Sequence, residues 1–261
     1  MDMKVKFNLF KEIKPKESIL VSGLPGIAYI GKLSVDYLIK ELGAEIIGEV
    51  YSQFFPPYVL ITNDGLVELL RNEIYYVNVD KKDIFFFTGN TQAASPEGQY
   101  IIADEVLGKL VDFNVNRVYS IAAFLTDRHF ENPRVFGTAT NQKLIKEIRG
   151  YGVIPMDKGV ISGTNGLIFG LAGIKKLEGI CLLGETLGYQ TATGQYLADS
   201  KAVRTVLEVL TDILGIKVDM EPLDKETERM DELITRMADI ESRVRRETKE
   251  SQERGRTRYI T

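Results

Sequence analysis

The most constraining feature of the sequence is the alternation of strand-like and helix-like runs through its first 220 residues. Ser18–Ser22 (SILVS) is a short apolar run that stops at a glycine, and Leu33–Leu42 then carries apolar residues at helical spacing. Strands that alternate with helices are typical of a mostly parallel sheet with helices on both faces. The sequence therefore predicts an α/β fold.

The same patterns place most of the other elements. We predict strands at Glu45–Val50, Tyr58–Thr62, Asp83–Thr88 and Arg117–Leu125, and helices at Pro96–Asn114, Gln142–Arg149 and Tyr196–Leu214. Asn63-Asp64-Gly65 is a strong turn signal, and Val67–Val79 is predicted to form the two arms of a hairpin.

Composition changes near Met220–Pro222, which divides the chain into an α/β domain at 1–220 and a C-terminal segment at 221–261. Apolar residues in the second part step by three, four, three and four, which is a heptad seam: Met230, Leu233, Met237, Ile240 and Val244. We predict one helix from Leu223 to about Gln252, followed by a loose tail after Gly255. The helix either packs on its own domain or joins subunits.

Overall composition excludes several classes of protein. Apolar residues make up 44% and charged residues 27%, which is ordinary for a globular protein. The net charge of −4 gives no electrostatic footprint for nucleic acid. Cys181 and His129 are single, so one subunit cannot form a disulfide or a Cys/His zinc site. The N-terminus has no signal-peptide pattern, and no apolar run reaches about 18 residues, so we expect a soluble cytoplasmic protein.

The loop at Gly23–Lys32 lies where a phosphate-binding loop would lie, between a strand and a helix. Gly26 to Lys32 matches part of a P-loop, but Leu33 stands where that motif has a hydroxyl. Bulky residues inside the loop impede backbone wrapping around a phosphate. The competing interpretation is a tight turn in which glycine allows close packing.

Three further groups of residues carry possible chemistry. Glu185 follows an apolar strand and could face a crevice at the strand end, or it could be an ordinary solvated or capping carboxylate. Asp127, Arg128 and His129 form a polar loop after another strand, suited to acid–base work or simply to solvent. A cluster of glycines marks either a ligand loop or close-packing and turn positions: Gly159, Gly163, Gly166, Gly170, Gly173 and Gly179.

A set of short motifs in one fixed order resembles a known family. The motifs are Ser22–Gly26 (SGLPG), Ser52–Pro57 (SQFFPP), Gly89–Gln92 (GNTQ), Glu97–Tyr100 (EGQY), Pro133–Thr140 (PRVFGTAT), Gly163–Leu167 (GTNGL) and Leu182–Thr186 (LLGET). In this order, over roughly Ser18 to Leu223, they resemble the archaeal branch of the proteasome assembly chaperone family.

The resemblance implies a fold similar to purine nucleoside phosphorylases that is used for binding protein. It implies a homo-oligomer that binds the proteasome core-particle α-subunits without ATP. Relatives in this branch dock a tail ending in hydrophobic-Tyr-any residue into pockets between α-subunits. Here Tyr259 is third from last and follows Arg258, so we expect a shifted mode that uses Tyr259, Ile260 and the carboxylate of Thr261.

The leading hypothesis is thus a non-enzymatic assembly chaperone or proteasome regulator with no cofactor, no metal, no nucleic acid and no membrane partner. The alternative is a nucleoside phosphorylase-like enzyme or small-ligand-binding protein, for which Gly23, Gly26 and Glu185 form the candidate ligand site. A structural oligomer with another client is the third possibility.

Overall fold

The computed structural model describes residues 4–128, 130–191 and 193–229. The chain divides into two compact units, Met1–Asp219 and Met220–Thr261. In the second unit, residues 221–229 are helical. The rest of the helix predicted up to Gln252, and the tail after Gly255, lie outside the described residues.

The described part of the first unit contains eleven strands and five helices. The strands are β1 (Val5–Leu9), β2 (Ser18–Ser22), β3 (Glu45–Ser52), β4 (Val59–Ile61), β5 (Val67–Leu69), β6 (Asn72–Val79), β7 (Lys82–Gly89), β8 (Val115–Leu125), β9 (Val135–Ala139), β10 (Ile154–Pro155) and β11 (Glu178–Thr186). The helices are α1 (Ile30–Leu42), α2 (Pro96–Val111), α3 (Gln142–Arg149), α4 (Gly163–Ile174) and α5 (Ser200–Leu214).

Nine strands form one mixed sheet in the order β1-β3-β6-β7-β2-β8-β11-β9-β10. The four central strands, β7, β2, β8 and β11, are parallel to one another. Antiparallel pairs extend the sheet through β6, β3 and β1 on one side and through β9 on the other. The predicted parallel sheet is therefore the centre of a mixed one.

Helices cover both faces of this sheet, as the α/β prediction requires. Helices α2 and α4 pack on each other over a core that includes Phe85 and Phe87 of β7. Helices α1 and α5 pack on each other over the opposite face, toward which strand alternation turns Phe86. Among the described helices, none has the length and apolar character needed to cross a bilayer.

Local capping explains where the helices begin and end. Ser95 accepts a hydrogen bond from the N–H of Gly98 and starts α2 immediately before a proline. Asp199 caps α5 in the same way, so this helix begins four residues later than predicted. At Asn114 the backbone turns left-handed, which ends the α2 region before the predicted boundary.

The predicted hairpin within Val67–Val79 is wrong. Strand β5 pairs with β4 in a separate two-stranded sheet, whereas β6 pairs with β3 and β7 in the main sheet. The Asn63-Asp64-Gly65 turn joins β4 to β5, with Gly65 at φ +80°. Between β5 and β6, the Arg71 N–H donates to Asn90 instead of continuing the ladder.

Two glycines one turn apart in α4 give a matched test of this packing. A Cβ at Gly166 would collide with the carbonyl oxygen of Ile161, whereas a Cβ at Gly170 meets nothing within 4 Å. Gly166→Ala should lower the free energy of unfolding by about 1–3 kcal/mol, as overpacking does. Gly170→Ala should raise it by about 0.5–1 kcal/mol through helix propensity. Urea unfolding of both variants measures this, and equal effects would contradict the packing described.

Candidate functional site

A cleft of about 690 Å³ opens at the carboxyl ends of the central parallel strands. In open α/β sheets this edge is where ligands bind. Its walls come from the loop after β2, the end of β8, and the segment before α4. The lining includes Pro25, Gly26, Ile27, Gly31, Gln92, Gln99, Ala122, Ala123, Phe124, Leu125, Met156, Lys158, Gly159, Val160, Ile161, Ser162, Gly163 and Asn165.

The buried amide of Asn165 fixes the floor of the cleft. Its Oδ1 accepts from the N–H of Leu24 at 3.0 Å, and its Nδ2 donates to the Leu24 carbonyl at 3.0 Å. The hydroxyl of Ser120 also donates to the Asn165 carbonyl at 2.5 Å. The side-chain amide thus pairs with Leu24 as a neighbouring strand would and ties α4 to the loop after β2, and the backbone carbonyl of the same residue ties α4 to β8.

Gln92 makes a second bridge at the rim. Its Nε2 donates to the Pro25 carbonyl at 2.5 Å, and its Oε1 accepts from the N–H of Thr164 at 2.8 Å. Both polar atoms of the amide are therefore used inside the protein. Gly163 lies against this amide with φ +79°, where a side chain would crowd the Gln92 oxygen.

The structure separates the members of the candidate ligand loop. Gly26 lines the cleft, and a Cβ there would lie 3.7 Å from the amide nitrogen of Asn165. Gly23 packs backbone to backbone against Gly31, where a Cβ would collide with the Gly31 carbonyl. Lys32, the P-loop-like lysine, binds Asp36 at 2.6 Å one turn along α1.

Glu185 is fully buried and forms an ion pair with the half-exposed side chain of Arg134, and neither residue lines the cleft. Arg134 donates from Nε to Oε2 at 2.8 Å and from Nη2 to Oε1 at 2.6 Å, and its backbone N–H also donates to Oε2. The hydrogen bonds from Arg134 hold the pKa of the Glu185 carboxyl below its usual range, against the opposing effect of burial. The carboxylate is thus neither solvated nor free to bind a ligand.

A shallow groove beside the cleft contains the described part of the polar loop after β8. It is lined by Thr126, Asp127, Arg128, Arg134, Phe136 and Leu187, and it shares Phe124 and Leu125 with the cleft. The Phe124 and Phe136 rings stack with centroids 4.2 Å apart. His129, the third member of the predicted acid–base group, lies outside the described residues.

Cys181 lies in the sheet and is fully buried. Burial raises the pKa of its thiol to about 12, so the thiolate needed for nucleophilic chemistry is not formed at neutral pH. Within residues 4–128, 130–191 and 193–229, no three His, Cys, Asp or Glu side chains come together as a metal site.

The residues predicted to bind partners all lie outside the described part of the chain. These are the tail residues Tyr259, Ile260 and Thr261, and the heptad positions Met230, Leu233, Met237, Ile240 and Val244.

Comparison with known proteins identifies the family. The model of the PAC2 family matches residues 20–238. The chain belongs to the PAC2 family. An uncharacterized protein of Methanocaldococcus jannaschii is 34% identical over 236 residues, covering 90% of this chain and 88% of the relative.

Two solved structures from Pyrococcus furiosus align with this chain over nearly the whole of their own length. PbaB, an archaeal proteasome activator, has a TM-score of 0.83 and 30% identity over 90% of this chain and 99% of PbaB. PbaA, an archaeal homolog of proteasome-assembly chaperone, has a TM-score of 0.73 and 29% identity over 97% of this chain and 99% of PbaA. These matches confirm the resemblance to the archaeal branch.

Sequence reasoning about this PAC2 protein missed Asn165, Gln92 and Arg134 as organising residues. All three residues lie inside quoted motifs, but nothing in the local sequence tells what their side chains contact.

Replacing Asn165 tests the floor of the PAC2 cleft. Asn165→Ala leaves the buried N–H and carbonyl of Leu24 without partners, so the free energy of unfolding should fall by about 2–4 kcal/mol. Asn116→Ala is the control, because that amide binds Glu17 at an exposed position. Urea unfolding that showed the same loss in both variants would contradict the role of Asn165.

The Glu185–Arg134 pair predicts a pH dependence. The pKa of the Glu185 carboxyl is lowered in the folded protein. The ion pair therefore stabilises the fold fully above the ordinary glutamate pKa of about 4.3, and this stabilisation is lost as the pH falls through the lowered pKa. Glu185→Gln should lower the melting temperature at pH 7 by several degrees, and the difference from the unmodified protein should narrow in acid. Thermal unfolding from pH 7 to pH 3 measures this. Glu12→Gln, at an exposed position, is the control; a difference that does not change with pH would refute the prediction.

Proposed function

We propose that this protein is a non-enzymatic proteasome assembly chaperone or activator that binds the α-ring of an archaeal-type core particle, partly through its last three residues. The observation that carries the proposal is the similarity to PbaB, an archaeal proteasome activator, along 99% of that chain. Similarity to PbaA, an archaeal homolog of proteasome-assembly chaperone, supports the same class of partner.

The arrangement of the cleft supports a binding role over catalysis. Two polar side chains that line the cleft, Asn165 and Gln92, are held in internal hydrogen bonds, and Glu185, at the end of β11, is held in an ion pair. The thiol of Cys181 is buried and protonated. A surface of this kind offers fixed shape and few groups that can transfer a proton.

The C-terminal segment supplies the proposed contact with the α-ring. Tyr259 and Ile260 anchor the tail, and the carboxylate of Thr261 provides its charged end. One short tail binds weakly, but several tails on one oligomer gain avidity through their effective concentration. The heptad seam from Met230 to Val244 holds the subunits so that their tails act together.

The two relatives differ in role, and this chain resembles the activator PbaB more closely in structure than it resembles PbaA. The TM-score is 0.83 to the activator PbaB and 0.73 to PbaA. Identity to the two is nearly equal, at 30% and 29%. Activation of the mature core particle is therefore the first hypothesis to test, and assembly of α-subunit rings is the second.

Deletion of Tyr259–Thr261 tests the tail. The truncated protein should fold normally but lose at least tenfold in affinity for core particle in a pull-down, because the avidity of several tails is removed together. The full chain should also accelerate peptide hydrolysis by complete core particle if it is an activator. Preference for isolated α-subunit rings, with no effect on hydrolysis, would assign it to assembly.

Thr257→Ser is the matched control, since it keeps the length and the three terminal residues of the tail. Binding that is unchanged by the deletion would overturn the tail contact. Failure of the full chain to bind either rings or particle would overturn the proteasome proposal itself, and would direct attention to phosphate and purine nucleosides in the cleft.

A further inference from the structure

Asn165 is followed by Gly166, and this is the one Asn-Gly pair among the 261 residues of the chain. Asparagine is a thermolabile residue, because the backbone nitrogen of the next residue can attack its side-chain amide carbon. The attack closes a succinimide ring and releases ammonia. Glycine in the next position favours the attack, since it has no side chain to block the approach and the least restricted backbone. The pair therefore has the chemistry of a deamidation site.

The folded chain holds this pair in an unreactive arrangement. Asn165 is 5% exposed and lies in the first turn of α4, where a helical ψ of about −42° keeps the Gly166 nitrogen out of line with the amide carbon. Both polar atoms of the amide bind Leu24, so the side chain is directed away from its own main chain. The carbonyl oxygen of Ile161 packs so closely that a Cβ at Gly166 would lie 2.1 Å from it, which leaves the pair little room to rotate.

Attack on the amide requires the first turn of α4 to separate from the loop after β2. Both bonds between Asn165 and Leu24 must break, and the bonds of Gln92 to Pro25 and Thr164 hold the same two segments together. We call these four hydrogen bonds the α4 attachment. A local opening of this kind costs no more free energy than global unfolding does. The rate of deamidation is then set by the fraction of time that the α4 attachment is open.

The product of the reaction cannot restore the α4 attachment. Water opens the succinimide to aspartate or isoaspartate, so the net change exchanges an amide for a carboxylate. A carboxylate has no donor for the Leu24 carbonyl, which is left buried opposite a negative charge. Isoaspartate also adds a methylene to the main chain in the first turn of α4, which is incompatible with regular helical geometry.

We propose that Asn165-Gly166 is a deamidation site that the α4 attachment protects, and that its conversion opens the cleft irreversibly. While the attachment is closed, the amide is unreactive. Each opening exposes it to a reaction whose product prevents closing, so the cleft has a working life set by how often it opens. No tail residue takes part, and the proposal is tested independently of binding to the α-ring.

A second Asn-Gly pair in the same chain gives a matched comparison. Asp64→Asn creates one in the exposed turn before Gly65. In folded protein at pH 8, position 64 should convert about tenfold or more faster than Asn165, because it needs no opening. In urea the two should convert at similar rates. The tryptic peptide 159–175 contains Asn165 as its only asparagine, so its gain in mass measures conversion there. Heavy-oxygen water labels the product formed during the incubation.

Removing part of the α4 attachment tests its role. Gln92→Ala leaves Asn165 and Gly166 in place but removes the partner of the Pro25 carbonyl, so Asn165 should convert several-fold faster in the folded protein. The control is Ile84→Val or Ile84→Ala, whichever matches Gln92→Ala in urea unfolding. Ile84 is fully buried in β7, and strand alternation turns it toward the face opposite α4, so these changes lower global stability without touching the attachment.

The converted protein shows what the amide does. It carries one more negative charge, so anion exchange separates it from unmodified protein of the same sample. It should unfold at a lower urea concentration and exchange the amide hydrogens of the loop after β2 faster. Asn165→Asp reproduces one product, and its deficit in stability should shrink as the pH falls toward the ordinary aspartate pKa of about 3.9, because a protonated carboxyl can donate to the Leu24 carbonyl. The converted fraction supplies the measurement if this variant does not fold.

Four outcomes would overturn the proposal. Conversion of Asn165 as fast as position 64 in folded protein would show that the fold gives no protection. Absence of conversion in urea would show that the pair is unreactive. Equal rates in Gln92→Ala and its matched Ile84 variant would show that conversion follows global unfolding. Converted protein that is as stable as the unmodified protein would show that the cleft does not depend on the amide.

Discussion

The pairing of Asn165 with the backbone of Leu24 is the interaction on which the rest of the site depends. One amide satisfies a donor and an acceptor in the loop that follows β2, beyond the point where the ladders of β2 with β7 and β8 end. Because Asn165 lies in the first turn of α4, the same bonds position that helix on the sheet. Gln92 makes a second attachment between the same two segments at the rim of the cleft.

The charged side chains near the carboxyl ends of the strands bind one another and stabilise the fold. In enzymes of α/β architecture, this edge holds free carboxylates, amides and helix termini that meet a ligand. Here the carboxylate of Glu185 neutralises Arg134, and Arg134 also lies 5.1 Å from the ring of Phe136. The result is a firm surface with two adjoining depressions, which suits recognition by shape.

Local pattern predicts the elements well and their long-range partners poorly. The strand Ser18–Ser22 and the helix Gln142–Arg149 are confirmed at both ends, since apolar runs and caps are local properties. The antiparallel flanks of the sheet were not predicted, because strand order depends on pairings between distant segments. Asn165 lies 141 residues from Leu24, and Arg134 lies 51 residues from Glu185, so neither contact leaves a trace in sequence spacing.

The strand order also has a consequence for biosynthesis. The central strand β2 pairs with β8, and β8 is completed on its other side by β11, which ends at Thr186. Helix α5 then covers that part of the sheet and ends at Leu214. When segments so far apart in the chain pair, the entropy lost in closing the long loop between them comes before the contacts that offset it. A growing chain therefore cannot complete this core until β11 and α5, near the end of the first unit, have left the ribosome.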